Sequence, residues 1–182
     1  MQSDRLIRKL LTAAAVVEGI YCALTLILCS AANVLTSGKA GQFFGGFYGS
    51  DDIKLGFPVP LAAQALIITA AFFGVWNVLR IAADPQKYSG AGGILLIVLY
   101  LAGGGSNTLV SLIVSRFYAA KFGSAYLSKF AIFRGNIITP VSFLHSAAVI
   151  LLFIVLGMEW YRAALIREQT AMQMNTYQNT KM

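Results

Sequence analysis

One carboxylate and one imidazole stand inside stretches of this chain that otherwise carry no formal charge. Glu18 interrupts the window 10–38 and His145 the window 135–158, while 55–79 and 88–115 hold no ionisable acid, base or histidine. A carboxylate in hydrocarbon costs at least about 2.5 kcal/mol unless it is protonated, paired or wetted. Glu18 therefore fits a proton or cation site, or the counter-charge of a ligand. It fits with more weight a protonated acid bonded to a neighbouring helix or near enough to the interface to reach water. Counted from the window ends, the polar group nearest its depth is Asn77, and Tyr21 at i+3 can assist it. His145 is the chain's one histidine, and histidine is the side chain whose charge ordinarily changes near neutral pH. Counted the same way it falls in the opposite leaflet, at similar depth to Asn107, Gln64, Ser111 and Ser142. Such groups usually hydrogen-bond across helices as structural glue.

Gly103, Gly104 and Gly105, followed by Ser106 and Asn107, offer another kind of chemistry. They could break a helix and present carbonyls to a ligand at mid-membrane, although close helix packing is the favoured reading. Enzyme signatures are otherwise lacking. One histidine, with Cys22 and Cys29 on one helix, makes no usual zinc site, and no G-x-S-x-G motif occurs. No metal, cofactor or catalytic residue is expected. Cys22 and Cys29, two helical turns apart, are too distant for a disulfide and read as packing residues. Asp51-Asp52 reads as a solvated loop tip.

Something must position these residues, and composition says what. Hydrophobic residues make up 58 % of 182 and charged ones 12 %. Each of the four charge-free windows exceeds the roughly 20 apolar residues that span a bilayer core, and lipid obliges them to be helical. The expectation is an all-α integral membrane bundle of four transmembrane helices, one domain over 1–182. The spans are placed at about 10–35, 58–80, 92–116 and 138–160, with a fraying polar tail at 163–182. Pro58 and Pro60 open the second span and Pro140 the fourth. Trp76 and Arg80 close the second, and Trp160, Tyr161 and Arg162 the fourth, as interfacial residues do. The parallel between Gly74, Trp76, Arg80 and Gly157, Trp160, Arg162 hints weakly at a duplicated pair of spans. Between spans three and four, Tyr118, Phe122, Tyr126, Phe130 and Phe133 recur at helical spacing. They describe either an interfacial helix with its aromatics dipped into lipid or a cover packed over the bundle's end.

The net charge of +7, from 14 Lys+Arg and 7 Asp+Glu, lies mostly in the short segments between spans. It points to topology and anionic lipid rather than to nucleic acid. The balance favours cytoplasmic N- and C-termini. The basic start and Ala31-Ala32 resemble a signal peptide, but the apolar run is too long and contains Glu18, so cleavage is not expected. The favoured function is a non-catalytic subunit or scaffold acting through helix–helix and lipid contacts, as a homo-oligomer or in a larger complex. The alternative is a small ion-coupled transporter, homodimeric, using Glu18 and a glycine break in the third span. A lipid enzyme built on His145 and a serine ranks third. A carrier requires a wet cavity at Glu18 and a broken third helix, a scaffold a dry bundle and a straight one, and an enzyme a His145–serine hydrogen bond.

Overall fold

The computed structural model describes residues 2–44, 54–81 and 85–180, with side chains placed for 5–44, 54–80 and 92–174. Residues 45–53, with Asp51 and Asp52, and 82–84 lie outside these ranges. The described residues are almost entirely helical and contain no strand. They form α1 (Gln2–Ser30), α2 (Ala32–Leu35), α3 (Gly38–Phe43), α4 (Val59–Ile81), α5 (Pro85–Ile113), α6 (Ala119–Phe133) and α7 (Thr139–Thr180). Two π-helical turns, Val114–Tyr118 and Arg134–Ile138, join α5 to α6 and α6 to α7. Among the described residues, three helical stretches are long and apolar enough to cross a membrane: Arg5–Ser30, Val59–Arg80 and the 83-residue run Gly92–Met174.

That last run does not extend straight. Gly123 has φ 80° and ψ −178°, a conformation essentially reserved for glycine, and α7 packs against both α5 and α1. The buried residues show how the helices run. One core joins Ile7 and Leu11 of α1, Leu79 of α4, Leu96 of α5 and Leu156 of α7. A second joins Cys29 and Ala32, Leu61 of α4, Val110 of α5 and Ile138, and a smaller third joins Tyr21, Ala65 and Ile68. The start of α1 thus meets the end of α4, the first half of α5 and the middle of α7, whereas Ile138 before α7 lies in the opposite core, so successive long helices alternate in direction.

The outward faces are apolar. Val16, Ile20 and Ile27 on α1, Ile94, Ile97 and Leu101 on α5, and Phe143, Ile150 and Phe153 on α7 are all exposed. Contiguous apolar surface on this scale marks contact with lipid or another protein, not water. Polar Glu18 and Thr25 point inward instead.

Several expectations are corrected. The first helix begins at Gln2 rather than near Leu10, and it breaks at Ala31 before the short α2. The C-terminal tail continues α7 to Thr180 instead of fraying, because Ala, Glu, Gln and Met are sound helix formers. Gly103, Gly104 and Gly105 do not break α5, which passes through them as α-helix. Nor do they serve close packing within the chain, since an added β-carbon at any of them meets nothing within 4 Å. The close approach is at Gly92, where a β-carbon would stand 2.6 Å from Leu156 Cδ1 and 3.4 Å from Leu79 Cδ2. Both leucines are buried, so they have little room to yield. Gly92→Val is therefore expected to cost about 1–3 kcal/mol by overpacking. Gly104→Ala should be neutral or stabilise by up to about 1 kcal/mol, from helix propensity alone. Unfolding of the two variants in detergent, followed by circular dichroism, checks both signs.

The aromatic segment adopts the second of its two readings. Tyr126, Phe130 and Phe133 are buried against Cys29, Ala32 and Leu61, so α6 covers one end of the helices. The rings of Phe122, Tyr126 and Phe130 stack, with centroids 5.0 and 6.3 Å apart in succession. Tyr126 is 1 % exposed, and its hydroxyl is the one fully buried side-chain polar atom without a partner among the described residues. A buried hydroxyl left unbonded costs about 1–3 kcal/mol, so Tyr126→Phe should stabilise the protein by about 1 kcal/mol. Thermal unfolding reads this directly, and a lower midpoint would mean that the hydroxyl has a partner.

Candidate functional site: a buried acid–imidazole junction

Glu18 lies near the middle of the 29-residue α1 and Thr69 near the middle of the 23-residue α4. The alternating directions bring His145, early in α7, to the same level. The Thr69 hydroxyl donates to Glu18 Oε1 at 3.2 Å, and His145 Nδ1 stands 2.8 Å from Glu18 Oε2. At that separation one of the two groups must hold the proton. Either Nδ1–H donates to a carboxylate, or a carboxylic O–H donates to a neutral ring nitrogen. Three helices are thereby tied through one carboxyl group.

The junction is shielded by aromatic neighbours. Tyr21, one turn after Glu18, packs its ring 5.5 Å from the imidazole, and Phe72, one turn after Thr69, meets it edge-on at 6.4 Å. Glu18 is 0 % exposed, whereas 17 % of the His145 side chain is accessible. The carboxyl group itself is inaccessible, while both of its partners, His145 and Thr69, are partly exposed. One to two turns away, Trp76 Nε1 donates to the Leu11 carbonyl at 2.8 Å, and Arg80 lies over the Trp76 ring at 5.3 Å. The indole fixes the register of α4 on α1.

This geometry rearranges the residues singled out in the sequence. Glu18 and His145, expected in opposite leaflets, form one pair. Tyr21 accompanies them, but Asn77 is exposed and Thr69 takes its expected place. Asn107 and Ser111 are exposed, Gln64 is half-buried, and none of them bonds His145. The proposed second cluster is therefore not assembled. No serine bonds the imidazole either. Sequence reasoning passed over Thr69, which differs from other small polar residues in no visible way. Trp76 and Trp160 have unlike roles, since Trp160 is 56 % exposed. Among the described residues no group of three His, Cys, Asp or Glu side chains is placed to hold a metal ion.

Comparison with protein-family models, with curated proteins and with solved structures finds no match to this chain. Its class is set by its own geometry: among the described residues it is helical, with three stretches long and apolar enough to cross a membrane and a buried acid–imidazole contact.

Proposed function

We propose that the chain is a multi-pass membrane protein of four antiparallel spans that acts as a non-catalytic subunit or scaffold. The carrying observation is that both oxygens of the mid-bundle carboxyl are occupied by Thr69 and His145. That leaves the acid engaged within the bundle, where it clamps α1, α4 and α7 together. The unbroken α5 supports the same reading, since it presents no free carbonyls to a substrate. The exposed Asn107, between Gly104 and Ser111 on α5, offers a second helix a polar contact that lipid cannot supply. The basic residues in the first turns of α1, Arg5, Arg8 and Lys9, favour cytoplasmic termini. A homo-oligomer or a larger complex is the partner this surface suits.

One observation favours a second reading, that of an ion-coupled carrier. An acid and a base in contact inside a span are the kind of pair through which protons move. Proteoliposomes carrying a pH-sensitive dye separate the two. The scaffold reading predicts proton flux equal to that of protein-free vesicles, for the wild type and for Glu18→Gln alike. Flux that Glu18→Gln abolishes would replace it with the carrier.

A further inference from the structure

At the end of the molecule capped by α6, the two π-helical turns face each other across a cavity of about 410 Å³. Ser111, Val114 and Ser115 form one wall; Phe130, Arg134 and Thr139 contribute to the other. The volume is within the usual range of small-ligand sites, roughly 300–1,000 Å³. Widened π turns are common where a helix has been adapted to a function.

The donors in this cavity decide the ligand's chemistry. The Arg134 guanidinium is half-buried and has no carboxylate, hydrogen-bond or ring partner among the described residues. The Ser111 hydroxyl is likewise unbonded. Ser115 and Thr139 donate to the carbonyls of Leu112 and Arg134, at 3.2 and 2.9 Å. Among the described residues no Asp or Glu lines the cavity. Guanidinium offers five N–H donors in a planar fork and cannot lose its charge. Two unpaired donors, one of them cationic, without a counter-charge call for an oxyanion. Val114 and Phe130 supply an apolar wall beside it.

We propose that this cavity binds a phosphate oxyanion, held by Arg134 and Ser111, from an anionic phospholipid headgroup or from free phosphate. The site is independent of Glu18, and only its lipid arm rests on the membrane reading. The full chain is incorporated into nanodiscs of phosphatidylcholine doped with phosphatidylglycerol, and retained lipid is counted by native mass spectrometry. In parallel, inorganic phosphate is titrated against thermal unfolding in detergent. Charge-assisted hydrogen bonds support an expected loss of at least about tenfold in affinity for Arg134→Gln. Arg116→Gln, an exposed cation on the same turn system but outside the cavity, should leave affinity unchanged. Phosphatidylglycerol retention that Arg134→Gln removes assigns the lipid source. Stabilisation by inorganic phosphate alone, lost in the same variant, assigns the free ion. Should Arg134→Gln not fold, Ser111→Leu fills the cavity with the charge in place and should also abolish binding. Equal losses in Arg134→Gln and Arg116→Gln, or no binding by either probe, would overturn the proposal.

Discussion

Replacing His145 with phenylalanine is expected to cost the fold about 2–4 kcal/mol, the largest effect of any single change at the junction. The ring is roughly preserved, so little of this is lost packing. What is lost is the partner of a carboxyl group that is 0 % exposed and cannot turn to water. Removing one member of a buried ion pair ordinarily costs about 3–5 kcal/mol. Interhelical hydrogen bonds in a bilayer average only about 0.6 kcal/mol, because the separated helices also find partners. The expected value lies nearer the first figure, since a sealed acid keeps only the 3.2 Å bond from Thr69. The sign of the double change is more telling. Glu18→Leu combined with His145→Phe removes both polar groups and should return stability to within about 1 kcal/mol of wild type. Thr69 can then bond back to a carbonyl of its own helix. Reversible unfolding in mixed micelles gives the cycle, and two additive losses would mean that the pair does not act as a unit.

Phe72→Ala is the second large effect, expected at about 2–3 kcal/mol. Phe72 is 0 % exposed, packed among Val75, Leu152 and Val155 and edge-on to Phe73 and His145. Truncating a buried phenylalanine costs about 3–5 kcal/mol in soluble proteins. In a bilayer the transfer part of that figure shrinks, because lipid is as apolar as the core; the cavity part remains. The void would open beside the imidazole. Phe72→Ala should therefore also speed exchange of the proton shared by Glu18 and His145, whereas Leu96→Ala, in the same core on α5, should cost stability without that change. Unfolding measurements and proton exchange on both variants test the two consequences separately.

The α4 helix shows what the sequence made legible. Pro58 just before it, Pro60 in its first turn and Arg80 in its last mark Val59–Ile81 almost to the residue, because proline and a terminal cation act locally. The interruption of α1 at Ala31 and the helical course of α7 to Thr180 lack such punctuation. The junction itself was hidden by a displaced register. Depth was counted from the charge-free window beginning at Leu10, yet α1 starts at Gln2, and Ile7 and Leu11 belong to the core with Leu79 and Leu156. That slide carries Glu18 to mid-bundle, opposite His145. A signal was nonetheless present: these are the only carboxylate and the only imidazole inside the charge-free windows, and intramembrane ionisable groups tend to pair with one another. Thr69 gave no comparable sign.

The central claim is that Glu18 is sealed by Thr69 and His145 into a dry clamp. Since His145 is the chain's only histidine, labelling with 15N-histidine reports a single ring, and nuclear magnetic resonance can follow the proton between Nδ1 and Glu18 after transfer to deuterated buffer. The clamp predicts a resolved downfield proton that persists long after transfer and vanishes in Glu18→Ala. Exchange as fast as that of an exposed imidazole would contradict it, placing water at the pair and making the junction a proton path.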